Sequence, residues 1–172
     1  MDDNNKKLGE YQAFLSLLER KLSGKGFEIK QDIPISPYKV DLMALKTSLE
    51  VSKFGKMSRT ITVASLENVD IGTIQSFSMA STKYALDNRG SLLPRGLGGS
   101  LLSVPVIVSD DFNLDIKLWM EKTLMEKHWA AFEFPVLISL KDRKIYYCKK
   151  TPMWGAAYYK GFRKFVEENI SF

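Results

Sequence analysis

The side chains with chemical potential are unevenly spread along the 172 residues. From Lys141 to Phe172 eight cations (Lys141, Arg143, Lys144, Lys149, Lys150, Lys160, Arg163 and Lys164) face three anions, an excess of five that equals the formal charge of the whole chain. Tyr146, Tyr147, Trp154, Tyr158, Tyr159 and Phe162 lie among them. A basic surface interleaved with aromatics tracks a phosphate backbone and stacks bases, which makes nucleic acid the partner to test. A solvated hairpin edge followed by an amphipathic helix with core aromatics accounts for the same residues, and is the commoner origin of such a pattern.

Other candidates are single residues. Asp41 is one acid set in an apolar run, Tyr38-Lys39-Val40-Asp41-Leu42-Met43-Ala44-Leu45. Taken alone it reads as a strand-end acid pairing with Lys39 or a backbone donor. His128 is the lone histidine, so there is no histidine pair for zinc, and any histidine-based triad must use it. Cys148 is the lone cysteine, which removes a disulfide framework and a thiolate cluster and favours a reducing compartment. Asp110, Asp111 and Asp115 resemble a metal cluster in one dimension, but helix capping explains the first two. Arg95-Gly96-Leu97-Gly98-Gly99-Ser100 precedes a strand, whereas phosphate-cradling loops follow one and open a helix. It reads as a connection, with Arg89 and Arg95 as optional phosphate or partner contacts.

The elements that would position these groups follow from periodicity. Tyr11, Phe14, Leu15, Leu18 and Leu22 have helical spacing, closed by Gly24 and Gly26. Residues 27–35 alternate as a half-buried strand, 40–46 form a second, and 58–66 a third, rich in β-branched residues. Residues 47–57 are polar and read as irregular. Asp70 caps a helix to about Leu86, and 104–108 is a fourth strand. Ser109, Asp110 and Asp111 would cap a helix over 114–127, ended by His128-Trp129. A hairpin turns at Lys141-Asp142-Arg143. Thr151-Pro152-Met153-Trp154-Gly155 reads as a plug over the core, with partner anchor as the alternative. The last helix places Tyr158, Phe162, Val166 and Ile170 four apart.

The expected architecture is α/β, one domain over 1–172, with a mixed sheet flanked by helices. It divides into a core over about 10–108 and a C-terminal helix–hairpin–helix extension over about 109–172. The longest apolar stretch, Leu101 to Val108, holds Ser103 and Pro105 and is far short of the ~20 residues of a membrane span. With no secretory signature at Met1–Lys7, the reading is a cytoplasmic protein without a membrane role.

The order helix, three strands, helix, strand resembles the restriction-endonuclease-like, or PD-(D/E)XK, superfamily. Gly26-Phe27 is similar to the helix-to-strand junction of archaeal resolvase-like members. Val40-Asp41-Leu42 stands where members carry Pro-Asp or Val-Asp, and Ile74-Gln75 is similar to a Gln on the helix after the third strand. The resemblance implies a Mg²⁺ site built from Asp on the second strand and Glu on the third, with Lys two residues on. Asp41 fits the first role. The better register puts Ala64 and Leu66 in the Glu and Lys places, and the alternative puts Val63 and Ser65 there. Glu67, or Glu10 or Glu19 from the first helix, would have to supply the second acid, and Lys53, Lys56 or Arg59 the cation. The resemblance therefore implies a core that has lost its metal site and serves as a binding or structural module, without a cofactor. The alternatives are an active Mg²⁺-dependent nuclease with a migrated site built on Asp41, Glu67 and Glu10, and a protein-interaction subunit or homodimer.

Overall fold

A computed structural model describes residues 2–50, 55–88, 99–125, 127–128, 131–153 and 155–172. Its elements are α1 (Asp2–Gly24), β1 (Glu28–Ile35), β2 (Tyr38–Glu50), β3 (Gly55–Ser65), α2 (Ile71–Asn88), β4 (Gly99–Val108), α3 (Leu114–Lys122), β5 (Lys127–His128), β6 (Ala131–Glu133), β7 (Val136–Ser139), β8 (Lys144–Tyr147) and α4 (Ala156–Asn169). Strands β1, β2 and β3 form an antiparallel meander, and β4 joins β3 in parallel after the α2 crossover. Both β6 and β7 then pair with β4 in parallel along different stretches, with β5 and β8 antiparallel beyond them. The result is α/β with a mixed sheet and four flanking helices, as the alternation of elements predicts.

Two apolar layers hold it together. Tyr11, Phe14, Leu18 and Leu22 of α1 and Tyr159, Phe162 and Val166 of α4 pack on one face against Leu42, Ile61, Val63, Val104 and Val106. On the other face Ile74 and Phe77 of α2 and Ile116 and Met120 of α3 cover Val40, Met43, Ala64, Leu101 and Ile107. Residues β3 to β4 read as near-continuous apolar runs because both faces are buried, the usual condition of parallel strands.

Several local expectations are corrected. Residues 47–50 and 55–57 are strand: β2 and β3 pair from Leu42↔Val63 out to Glu50↔Gly55, because backbone pairing in a hairpin does not depend on side-chain polarity. Lys53 lies outside the described residues. α3 ends at Lys122, not 127, and its cap is Asn113, whose side chain accepts from the Ile116 N–H at 3.1 Å. Asp110 and Asp111 brace neighbouring loops instead. His128 sits in a short strand opposite Ala131, so no helix end is there for it to complement. In α4 the inward face begins at Tyr159 and Tyr158 is 41% exposed, since strict four-residue spacing drifts off a 3.6-residue turn. Met153 is 94% exposed and plugs nothing, while Trp129, Trp154, Arg89 and Arg95 are outside the described residues. Among the described residues no helix is long and apolar enough to cross a membrane.

Candidate functional site

The β1–β2 ladder skips the pair Asp32–Asp41, although the register on either side is continuous. Asp32 takes a positive φ of 52°, a conformation Asp tolerates better than most residues. The interruption turns the strands over: Val40 lies in the core under α2, and Leu42, two residues on, lies in the core under α1. In an unbroken strand those two would share a face. The consequence is local to Asp41, whose carboxylate points toward α1.

There Tyr11 meets it. The Tyr11 hydroxyl donates to Asp41 Oδ2 at 2.5 Å, and the Ser65 N–H approaches the same oxygen at 3.4 Å. Burial, reinforced by the hydrogen bond to Asp41 and by its charge, raises the Tyr11 pKa far above that of an ordinary phenol. Its proton is therefore held, and Tyr11 serves as a fixed donor. Of the two partners expected for Asp41, the backbone donor is present as the Ser65 N–H, whereas Lys39 pairs with Asp32 at 2.8 Å on the surface. Tyr11 was missed as a site residue because its helical spacing with Phe14 and Leu18 announces core. The available signal was its hydroxyl, which a buried tyrosine must satisfy.

On β3 the face toward Asp41 carries Val63 and Ser65. Ala64 belongs to the core under α2 and Leu66 packs against that same core, so the register that sets Ala64 and Leu66 beside Asp41 is corrected. Ser65 and Tyr11 open onto a cleft of about 1270 Å³ at the C-terminal ends of β3 and β4, also lined by Glu10, Glu67, Asp110, Asp111, Lys6, Lys7, Lys141 and Arg143. Two of its acids are already engaged. Asp110 Oδ1 accepts from Ser139 Oγ at 2.7 Å and from the Lys141 N–H at 3.1 Å, and Asp111 Oδ2 accepts from the Asn68 N–H at 3.1 Å. They hold the β7–β8 turn and the loop after β3.

Glu10 and Glu67 thus line the same cleft as Tyr11, whereas Glu19 faces β1 and accepts from Gln31 Nε2 at 2.8 Å. Arg59 and Lys56 stand six and nine residues before Ser65 on β3, which sets their backbone roughly 20–30 Å away along the strand. A Mg²⁺ ion needs several hard oxygens converging on one point. Val63 and Ser65 offer no carboxylate beside Asp41, whose own oxygen is taken by Tyr11, so these residues do not fit the ion. Among the described residues no three His, Cys, Asp or Glu side chains are grouped to hold a metal.

The cations of the C-terminal third divide between two places. Lys141, Arg143 and Lys144 surround the β7–β8 turn, the first two lining the cleft, with the Arg143 guanidinium 5.1 Å from the Phe172 ring centroid. β8 then runs away from the cleft. Lys149 pairs with Glu121 at the end of α3, and Arg163 holds the loop after β8 through the Lys150 carbonyl at 3.1 Å and Thr151 Oγ1 at 3.0 Å. Lys150 and Lys160 are exposed. Of the aromatics, Tyr146, Tyr159 and Phe162 are core. Cys148 is buried, and burial pushes its thiol pKa up.

Comparison with protein-family models, with curated proteins and with solved structures finds no match.

Proposed function

We propose that this chain is a catalytically silent relative of the restriction-endonuclease-like superfamily. In this reading it acts as a binding module, gripping nucleic acid at the rim of the α1 cleft. The observation that carries the first half is the environment of Asp41: Val63 and Ser65 stand where a second carboxylate and a lysine are needed, and Tyr11 occupies the remaining acid. The second half is supported by Lys6 and Lys7 from α1 and Lys141 and Arg143 from the β7–β8 turn, which approach one cleft from two elements. Cations placed so can contact phosphates of one backbone.

A second reading, a metal-dependent nuclease with a migrated site, is favoured by one fact: Glu10 and Glu67 line that same cleft. Two assays on the full chain separate them. In binding assays with labelled duplex DNA and RNA, affinity should fall steeply as salt rises. The double substitution Lys141→Gln/Arg143→Gln should weaken binding by about tenfold or more. Incubation with Mg²⁺ or Mn²⁺ should leave both substrates intact, and Asp41→Asn should not alter binding. Cleavage that disappears in Asp41→Asn and Glu67→Gln would establish the nuclease reading. No binding even at low salt would remove nucleic acid as the partner.

A further inference from the structure

Glu10 of α1 and Glu67, two residues past β3, line the cleft of about 1270 Å³ from two different elements. Both are exposed, and among the described residues neither carboxylate is held by a hydrogen bond or an ion pair. Asp110 and Asp111 line it as well. Their partners, Ser139 Oγ and the backbone N–H groups of Lys141 and Asn68, are neutral, so both acids keep their charge. We infer that the cleft takes a single nucleic-acid strand with its bases turned inward, and that Glu10 and Glu67 read the amino edges of those bases, guanine above all. The inference rests on the reading of this cleft as a nucleic-acid site and adds which part of the strand enters it.

Charge sets the orientation. A phosphate drawn past the rim would approach four carboxylates at once, and like charges in a recess with low-dielectric walls repel strongly. The backbone is therefore kept at the rim, where Lys141 and Arg143 of the β7–β8 turn can meet it. Bases are uncharged and can pass. The volume is on the scale of a few drug-sized bodies and is too small for a duplex. Its surface suits unpaired bases. Leu8 is 58% and Leu17 39% exposed on the α1 wall. The half-buried Phe172 ring lies 6.2 Å from that of Phe14, with the Arg143 guanidinium over it. Apolar, aromatic and guanidinium surfaces are what splayed bases stack on, whereas a duplex hides its base faces in its own stack.

The acids then choose among bases. An ionised carboxylate only accepts hydrogen bonds. The open edge of guanine offers N1–H and N2–H side by side, matched to the two oxygens of one carboxylate. Cytosine and adenine offer an amino group beside an acceptor. Thymine and uracil offer one N–H between two carbonyls, which the carboxylate repels. Guanine therefore ranks first, and thymine and uracil last.

Fluorescence anisotropy of the full chain with labelled dodecamers tests this: all-thymidine, the same strand with a central guanine pair, and that strand annealed to its complement. The guanine strand should bind about fivefold or more tighter than the all-thymidine strand and than its own duplex. In Glu10→Gln/Glu67→Gln the guanine advantage should shrink below about twofold, because each amide presents a donor where the carboxylate presented acceptors alone. Loss of negative charge by itself would raise both affinities alike and leave their ratio intact, so the ratio is the readout. Both positions are exposed, where substitutions are well tolerated by the fold. Uridine strands carrying the same guanine pair identify RNA or DNA as the source by which sugar binds tighter. A guanine advantage retained in the double variant overturns the inference. So does all-thymidine binding at or above the guanine strand, or duplex binding at or above the single strand; each leaves salt-dependent binding at Lys141 and Arg143 standing. No binding of any strand at low salt removes the cleft reading itself, and this inference with it.

Discussion

Asp41 shows how one interrupted backbone pair decides chemistry. Continued back from Leu42 without the break, the strand alternation would put Asp41 under α2, where it could not meet Tyr11. The tyrosine converts a solitary acid into half of a partly buried hydrogen bond, which is a structural use of a carboxylate. A second tyrosine makes a titratable contact. Tyr147 donates to Glu167 Oε1 at 2.8 Å, and partial burial, followed by that bond and the glutamate's charge, pushes its pKa up to about 12. A raised folded-state pKa means the protonated form is favoured on folding. The stabilisation is therefore full below the unfolded phenol value of about 10 and is lost as pH climbs to about 12. Urea titrations across that interval should show Tyr147→Phe losing less stability with pH than the parent chain; identical slopes would mean the Glu167 contact does not persist in solution.

Among the elements, α4 is attached chiefly by rings. Phe134, 1% exposed between β6 and β7, lies 6.0, 6.3 and 5.8 Å from the rings of Tyr147, Tyr159 and Phe162. Phe132 extends the cluster, 5.2 Å from Phe162. Removing the central ring leaves a cavity that three flanking aromatics cannot collapse to fill. Phe134→Ala should cost about 3–5 kcal/mol by denaturant unfolding, with the α4 amides losing protection from hydrogen exchange first. A loss below about 1 kcal/mol would show that α4 is held by something other than this cluster. Under α2 the sheet is unusually polar. Thr60, Ser103 and Glu133 stand side by side on β3, β4 and β6, and Ser78 of α2 donates to Glu133 Oε2 at 2.5 Å. All four are buried. A buried carboxylate is costly unless hydrogen-bonded, and the serine on the covering helix serves one of its two oxygens.

Over the whole molecule, charge is organised by the ends of the sheet. One end gathers Lys6, Lys7, Lys141 and Arg143 around the cleft, the other Lys25, Lys46, Arg59 and Lys164 around a smaller pocket between α4 and the sheet. The two sets share no residue and are separated by the length of β3. Independent sites add, so the stability change of Arg59→Gln/Lys141→Gln should equal the two single changes together within about 0.5 kcal/mol. A larger discrepancy in equilibrium unfolding would reveal communication through the sheet.

Periodicity alone determined the α/β class, the order of the main elements through β4, the Asp70 cap, whose carboxylate accepts from the Thr73 N–H at 2.6 Å, and the hairpin turning near Lys141. Those features are local: burial stripes and caps are written within a few residues of the structure they dictate. The short strands β5 and β6 escaped because two or three residues carry no readable period. The site escaped for a different reason. Which face Asp41 takes depends on a backbone break shared between two strands, and Tyr11 reaches it across 30 residues of chain. The eight C-terminal cations look continuous in one dimension, yet Lys141 and Arg143 line the cleft while Lys164 of α4 lines the smaller pocket, whose cations come from four separate stretches of chain. Convergence of distant side chains is a property of packing, and only the tertiary structure decides it.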